Sequence, residues 1–448
     1  MLKINWFSPL PPARSGISRY AMQILPVLAR SHEVTVWTDQ DQVAPEVHKV
    51  ARVARYDAAA PPWREINNGT VSFYHLGNQP DFHAGIWQVS AQQPGIVVLH
   101  DLCLHDLFFM LSGRHGKDRA AYLNAMERWY SPEGRRSAEA FCAGGVSAES
   151  MAQSFPLTRE ATRHALGAIT HCRGAFAELG ETPACLTAAL DFPYAPAAEP
   201  RYRTWLAARE GVPHPPYRLV VFGYLNRNRR LEPLLEALAG MDEREQFRLE
   251  LCGQLWDESH IRDRIERLGL SSIVSLRGFL SEEQVEQKLS TAHLAINLRY
   301  PSMGEASLSQ LQFWDYGLPT LVTRTGWYAS LPEDATAFVR PESEIADVQA
   351  QLRAWLADPG AFRAMGECGR RSLKNHDPEK YVDAMTRFAA EALQHAPRVP
   401  ALALAGRIGS DLTEWLPAAA SPYLLDRASQ EIYTIFEGRR RGDTSRSR

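Results

Sequence analysis

The sequence has few cysteines, no long apolar run and almost no excess of either charge. Its 448 residues include six cysteines, which form no CxxC pair and no metal-type spacing with histidine. We therefore expect reduced, mostly buried thiols and a cytoplasmic compartment. No uncharged apolar stretch reaches the ~18 residues of a membrane span, and the first residues are strand-like rather than an export signal. The net charge of −3 predicts no general attraction to nucleic acid.

Short apolar segments alternate with helical patterns along the whole chain. In the first half, residues 2–7, 33–39, 71–77, 95–101 and 167–172 are predicted strands, and residues 17–29 form an amphipathic helix. In the second half the predicted strands are residues 217–226, 247–253, 272–280 and 293–298. Such alternation predicts an α/β protein with two Rossmann-like, doubly wound parallel sheets that face a central cleft.

The domain limits follow from shifts in composition. Residues 1–195 are expected to form the first domain, with a helical insertion over about 102–165, and residues 196–377 the second. The Pro- and Ala-rich residues 186–200 are interpreted as an interdomain linker. Residues 396–448 form an extension that either packs as short helices or docks a partner. Its last ten residues, RRRGDTSRSR, are expected to be disordered, and weak contact with an anionic membrane through them is a hypothesis.

Several chemistry-bearing residues follow predicted strands of the first domain, where ligands of such sheets gather. They are Gly16, His75, Asn78, His100 and Asp101. Gly16 would let a phosphate or sugar approach the backbone, although a plain turn glycine is an equal reading. His100 is interpreted as a polar contact to substrate, against the alternative of a histidine that only bonds a neighbouring loop.

Metal binding by the first domain is not expected. His100 and Asp101 are followed by His105 and Asp106, but this spacing is awkward on a helix, and no further ligand is identifiable.

Residues 299–319, RYPSMGEASLSQLQFWDYGLP, lead from a buried strand through a turn into a helix. The free N–H groups and the dipole of a helix N-terminus favour an anion. Glu305, Ser307 and Gln312 add groups suited to hydroxyls. The stretch therefore predicts a ligand that carries both phosphate and sugar hydroxyls.

A basic turn follows the first strand of the second domain. Arg227, Arg229 and Arg230 either form a solvated turn or bind a diphosphate, since a guanidinium matches phosphate oxygens at two points. We favour diphosphate contact, above all for Arg229. Trp327 and Tyr328 are read as core or lid residues, with stacking on a base or sugar as the alternative.

These segments in this order resemble retaining glycosyltransferases of the GT-B fold, in the group called glycosyltransferase family 4. The resemblance covers about residues 1–395 and rests on SPLPPARSG, VVLHD, FGYLNRNRRLEPLLEAL, GFLSEEQV and PSMGEASLSQLQFWDYGLPTLV. It implies a nucleotide-sugar donor on the second domain, an acceptor on the first, no metal or other cofactor, and a final helix, residues 378–395, that crosses back to the first domain. The acceptor is expected to be a glycan, a lipid-linked sugar, a protein or a small molecule.

The residues and the resemblance together assign the site. The expected catalytic residues are His100, Arg229 and Gly16. Donor-binding roles are expected for Arg227, Asn226, Gly223, Glu305, Ala306, Ser307, Leu308 and Gln312. Acceptor-side roles are expected for Ser15, His75, Asn78 and Asp101.

The chain departs from the family pattern at several positions, including His293, where an acidic residue is common. Two glutamates eight residues apart are usual, and here Gly304 and Gln312 occupy those positions, while Tyr224 replaces a usual arginine. These departures motivate an alternative, a catalytically degenerate GT-B protein that binds a nucleotide sugar or scaffolds a partner transferase. A nucleotide-sugar epimerase is a second alternative. A phosphorylase is disfavoured, because neither Lys288 nor Lys374 lies in a strand-end loop.

Overall fold

The computed structural model describes residues 1–113, 119–175, 179, 185–212 and 214–395. Within them the chain forms two parallel sheets with helices packed on them, which confirms the predicted α/β class with two doubly wound domains. No helix in these ranges is long and apolar enough to cross a bilayer. The predicted extension, residues 396–448, lies outside the described residues.

The first sheet has seven parallel strands in the order β3-β2-β1-β4-β5-β6-β7. Strand β4 reads VSFYHL and is buried along its full length, as expected of a central strand covered on both faces. The strands are β1 (Lys3–Phe7), β2 (Glu33–Thr38), β3 (Arg52–Arg55), β4 (Val71–Leu76), β5 (Ile96–Leu99), β6 (Gly167–Thr170) and β7 (Leu186–Ala189).

Eight helices accompany this sheet among the described residues. They are α1 (Gly16–Leu28), α2 (Pro45–Val50), α3 (Trp63–Ile66), α4 (Pro80–Ser90), α5 (His105–Gly113), α6 (Arg119–Cys142), α7 (Ala148–Ser154) and α8 (Thr158–Thr162). Helix α1 begins at Gly16 because the Ser15 side chain caps it, and its apolar stripe faces the core. Helix α6 is broken at Tyr130 and Ser131, whose backbone angles are not helical.

The second sheet has six parallel strands in the order β10-β9-β8-β11-β12-β13. They are β8 (Tyr217–Phe222), β9 (Phe247–Cys252), β10 (Val274–Gly278), β11 (Leu294–Asn297), β12 (Thr320–Thr323) and β13 (Ala337–Val339). The helices around it are α9 (Glu199–Glu210), α10 (Leu231–Ala239), α11 (Glu258–Arg267), α12 (Glu282–Thr291), α13 (Leu308–Asp315), α14 (Glu344–Ala357) and α15 (Pro359–Ser372). Helix α12 starts with a capping box of Ser281 and Gln284.

A last described helix, α16 (Pro378–His395), returns to the first domain and packs on α1 and β6. Tyr381 of α16 meets Tyr20 of α1 with hydroxyl oxygens 2.8 Å apart. Apolar residues from both domains and from α16 share one buried cluster. The first domain therefore packs against the second domain in addition to forming its own core.

Several elements differ from the sequence-based expectation, among them two strands of the first sheet and a helix. Residues 186–200 were predicted as a linker, but Leu186–Ala189 forms the edge strand β7, and α9 begins at Glu199. Strand β3 was not predicted. Both extra strands are only four residues long and at most half-buried, so their pairing with β2 and β6 decides their conformation rather than an apolar run of their own.

Candidate functional site

The first residues of α1 border an open space. Ser15 Oγ accepts a hydrogen bond from the Ile17 N–H at 3.1 Å, and Gly16 is exposed. A Cβ added at Gly16 would meet no atom within 4 Å. Ile17 also lies near Gly77, the turn that follows β4. The start of α1 therefore leaves room for a ligand beside the carboxyl ends of β1 and β4.

Two predicted site histidines bond to each other at the ends of β4 and β5. His75 Nδ1 lies 3.0 Å from His100 Nε2. His75 has no exposed surface, and His100 is 7% exposed. Burial, together with the nearby His171, lowers the pKa of both histidines well below the usual value, so both are neutral at pH 7. His75, predicted on the acceptor side, can influence a ligand only through His100.

Asn78 and Asp101 hold the loop that leads into α5. The Asn78 backbone N–H donates to Asp101 Oδ2 at 2.7 Å, and its side-chain amide donates to Asp106 Oδ2 at 2.8 Å. Its side-chain oxygen accepts from the Leu107 N–H at 3.2 Å. Because the protein already uses these groups of Asn78, a direct acceptor contact would have to replace one of those bonds.

Arg229 lies under the second domain's side of the cleft. It is 2% exposed, and its Nη1 and Nη2 donate to Asn297 Oδ1 at 2.6 Å and to the Phe222 carbonyl at 2.7 Å. Its Nε has no partner among the described residues. Burial first, and then the charge of Arg299, lowers the pKa of Arg229 to about 9. Within the described ranges, the guanidinium is thus a buried cation bonded only to neutral oxygens.

A chain of buried amides fixes Arg229 in place. Asn297 Nδ2 donates to Gln310 Oε1 at 2.9 Å, and Gln310 Nε2 donates to Thr320 Oγ1 at 2.8 Å. Gly223, predicted to bind the donor, follows β8, and a Cβ there would lie 3.8 Å from Arg229 Nη2. Gly223 has φ +124°, which favours glycine. The backbone after β8 can therefore approach a ligand closely.

The other residues of the basic turn point elsewhere. Arg227 is exposed, with its guanidinium carbon 4.3 Å from the centroid of a Trp256 ring. Asn226 accepts the Arg229 N–H through its backbone oxygen, and its Oδ1 is buried with no partner in the described part of the chain. Arg230 pairs with Glu344. Of the three arginines, only Arg229 is brought under the cleft.

Helix α13 begins beside Arg229. Ser307 caps it by accepting the Gln310 N–H at 3.2 Å, and Ala306 and Leu308 pack partly on the apolar core. Gln312 is half-buried, and its amide bonds no described residue. Gln312 therefore keeps a polar group available, whereas the Ser307 hydroxyl is used by the helix.

Glu305 is held within its own loop. It forms an ion pair with Arg299, with 3.0 Å between Nε and Oε1, and accepts the Met303 N–H at 2.7 Å. Glu305 was predicted to bind donor hydroxyls, and such contact would compete with Arg299.

The two domains meet directly at this loop. The N–H groups of Leu102 and Cys103 donate to the Met303 carbonyl at 2.8 and 3.0 Å. Asp101 is partly buried there, and burial first, then the charge of Glu305, raises its pKa to about 7. The strand ends of both sheets therefore border one cleft.

Sequence reasoning missed the residues that hold the site together, namely Asn297, Gln310, Arg299 and Asn228. A signal existed for Asn297, a polar residue that ends an otherwise apolar strand. Arg299 is partly buried and bonds Asn228 Oδ1 at 3.1 Å, but nothing in its local sequence distinguishes it from a solvated arginine. Trp327 and Tyr328 are buried, which agrees with the core reading. The described residues include no cluster of three or more metal-ligating side chains.

Comparison with solved structures places this architecture among GT-B proteins. Anabaena HepE, solved with UDP and glucose, matches with TM-score 0.59 and 15% identity over 87% of this chain and 100% of that chain. Sucrose-phosphate synthase from Thermosynechococcus elongatus matches with TM-score 0.59 and 15% identity over 87% and 98%. WaaG, a glycosyltransferase involved in lipopolysaccharide biosynthesis, matches with TM-score 0.56 and 16% identity over 86% and 99%. At such identities the likeness shows the GT-B fold.

A sequence-family comparison adds a narrower finding. The model described as glycosyl transferases group 1 matches residues 206–372, which lie in the second domain and contain Arg229 and α13. A search of the curated proteins found no match. Fold and family match together support a GT-B glycosyltransferase.

Proposed function

We propose that this chain transfers a sugar from a nucleoside-diphosphate sugar to an acceptor hydroxyl with retention of anomeric configuration. The observation that carries the proposal is Arg229, a buried guanidinium bonded only to neutral oxygens beside the start of α13. A buried cation without a carboxylate partner is unfavourable unless an anion joins it. A diphosphate supplies that anion.

The chemistry follows from where charge develops. Breaking the bond between the anomeric carbon and the diphosphate leaves negative charge on the departing phosphate. Arg229, the N-terminus of α13 and the backbone at Gly16 are the donors proposed to stabilise that charge. The resemblance to retaining enzymes supports same-face attack, in which the departing phosphate takes the proton of the acceptor hydroxyl. His100 then contacts the donor sugar or the leaving oxygen rather than acting as a base.

The proposed charge stabilisation needs no metal ion, since Arg229 and a helix N-terminus supply positive potential. The test is transfer activity in excess EDTA, which we expect to equal that in buffer alone. A requirement for added Mg²⁺ or Mn²⁺ would contradict this part of the proposal.

The donor is tested first by binding. We expect one of the UDP-, GDP- and dTDP-sugars to raise the melting temperature, because a ligand held by the native state stabilises it. The UDP complexes of HepE make UDP-glucose the first choice. Anomeric NMR of the product then tests retention. An inverted product would overturn the retaining assignment while leaving glycosyl transfer intact.

The acceptor is proposed to belong to a surface polysaccharide or another glycoconjugate, with synthesis in the cytoplasm. The involvement of WaaG in lipopolysaccharide biosynthesis supports lipid-linked and saccharide acceptors as the first to be assayed. Transfer to either, detected as a mass increase of one hexose, would support the assignment.

A degenerate GT-B protein that only binds a nucleotide sugar is the second candidate. It is favoured by Glu305, which is paired with Arg299, and by Tyr224, which is 60% exposed where the resemblance expects a cation. Binding of a nucleotide sugar without transfer or hydrolysis over long incubation would favour this candidate. Turnover of any donor would exclude it.

A further inference from the structure

His75 lies directly beneath His100, in a pocket of aromatic rings. Its ring centroid is 4.0 Å from that of Trp6 and 5.3 Å from that of Tyr20. Its Nδ1 lies 3.0 Å from His100 Nε2, while its Nε2 is buried with no partner among the described residues. One contact therefore accounts for the hydrogen bonding of the His75 ring within the described structure.

The same contact occupies one nitrogen of His100 and leaves the other available. His100 Nε2 is bound to His75. His100 Nδ1 has no bonding partner among the described residues, and it is not one of the fully enclosed polar atoms there. The atom that His100 presents to a ligand is therefore Nδ1. Whether it donates or accepts depends on which of the two histidines carries the shared proton.

The two possible arrangements differ in what they leave buried. If His75 Nδ1 accepted the hydrogen bond from His100 Nε2–H, the proton of His75 would sit on Nε2, and this N–H would be buried with no acceptor among the described residues. If His75 donates from Nδ1, only a lone pair of Nε2 is left unpaired. Orphaned buried N–H groups are the rarer of the two in native proteins. Burial also favours neutral over charged imidazole in both residues.

Two neighbouring histidines donate a hydrogen bond from Nδ1, as we expect of His75. His83 Nδ1 lies 3.0 Å from the His75 carbonyl, and His171 Nδ1 lies 3.2 Å from the Leu190 carbonyl. A carbonyl oxygen can only accept, so each of these rings carries its proton on Nδ1 when neutral. The Nε2 of His171 is likewise buried with no partner in the residues that the structure describes.

We propose that His75 is a positioning residue whose Nδ1–H donates to His100 Nε2 and thereby holds His100 with its Nδ1–H directed at the substrate. This inference rests on the proposed function only for the identity of that substrate. His100 is then a neutral hydrogen-bond donor. It can bond a sugar oxygen or the oxygen of the departing phosphate, and it cannot take a proton from the acceptor hydroxyl.

The test compares two nearly isosteric substitutions, His75→Asn and His75→Asp. The asparagine amide nitrogen is joined to Cγ, like His75 Nδ1, and can donate to His100 Nε2. Aspartate only accepts, so it requires a proton on His100 Nε2. Long-range ¹H–¹⁵N NMR of histidine-labelled protein without any substrate distinguishes protonated from unprotonated ring nitrogens. A His100→Gln spectrum assigns the His100 signals.

In the wild type and in His75→Asn we expect His100 to be protonated on Nδ1 alone. In His75→Asp we expect a proton on Nε2. With a donor that turns over, His75→Asp should lower kcat by at least tenfold, whereas His75→Asn should lower it only a few-fold. A wild-type spectrum with the His100 proton on Nε2 would overturn the proposal, as would identical tautomers in all three proteins.

The design separates this proposal from the proposed function. The wild-type spectrum is decisive even if His75→Asp fails to fold, and melting temperatures of both variants identify that case. The predicted tautomer without turnover of any nucleotide sugar would contradict the proposed function and leave the role of His75 intact. Turnover with the opposite tautomer would support the proposed function and contradict the proposed role of His75.

Discussion

The two walls of the cleft are built from different chemistry. The first domain presents neutral histidines whose pKa values are lowered by burial, together with the open backbone at Gly16. The second domain presents a buried guanidinium, Arg229, held by amide side chains. Under the proposed function, this difference corresponds to a division of work, in which the second wall would stabilise charge and the first wall would position the reacting sugar.

The charged wall gives the largest expected effect. Arg229→Met should lower kcat/KM by about a hundredfold or more, because removal of one donor to a developing oxyanion raises the barrier by roughly 3 kcal/mol. The matched control is Arg227→Met in the same turn, where the exposed side chain lies on Trp256, and a loss below fivefold is expected. Steady-state kinetics with the donor identified by thermal shift measures both. Equal losses would mean that the turn acts as a unit.

The neutral wall can be tested by filling its open space. Gly16→Val should lower activity by about tenfold with an unchanged melting temperature, because the side chain meets no protein atom but occupies the ligand's approach. Ser15→Ala provides the contrast, since loss of the helix cap should reduce stability by about 1 kcal/mol. A large drop in the melting temperature of Gly16→Val would show that the space is not open in solution.

A smaller effect is expected at Gln312 on the charged wall. If its free amide bonds a donor hydroxyl, Gln312→Leu should weaken donor binding by about 1 kcal/mol, or roughly fivefold. Gln312→Glu should bind at least as tightly as the wild type, since a carboxylate is the stronger acceptor. Isothermal titration with the donor measures both. Equal affinity of all three proteins would remove Gln312 from the site.

The smallest effect concerns Asp101, where the walls meet. Its pKa is about 7 in the folded protein, against about 3.9 for an unfolded chain. The folded state therefore binds more protons between these values, so this carboxyl makes stability fall as pH rises from about 4 to about 7. The free energy of unfolding of Asp101→Asn, relative to that of the wild type, should therefore be higher at pH 8 than at pH 5 by on the order of 1 kcal/mol. Denaturant unfolding of both proteins at both pH values measures this. The same difference between variant and wild type at pH 5 and pH 8 would contradict the prediction.

The sequence was sufficient for the architecture. Alternating apolar and helical segments predicted both sheets. Strand β7 and helix α9 were not predicted, because a four-residue, half-buried edge strand has no strong pattern of its own. Pairing with β6 determines the strand conformation of Leu186–Ala189. The Pro- and Ala-rich composition of residues 186–200 favoured a linker instead.

The site was predictable in its location but not in its bonding. Strand ends identified His75, His100 and Arg229. The contacts that define their chemistry join residues far apart in sequence, 25 positions for His75 with His100 and 68 for Arg229 with Asn297. Glu305 shows a different limit: its partner Arg299 lies close in sequence, but neither residue has a local feature that predicts an ion pair.

The hydrogen bonds from Leu102 and Cys103 to the Met303 carbonyl join the domains at the mouth of the cleft. At about 1 kcal/mol each, they favour the joined arrangement roughly thirtyfold over a parted one. A ligand that enters only while the mouth is parted therefore encounters a minor population, and its association slows in proportion. Because the donors are peptide groups, substitution of the side chains at these positions leaves both hydrogen bonds in place, and only proline at position 102 or 103 would remove a donor.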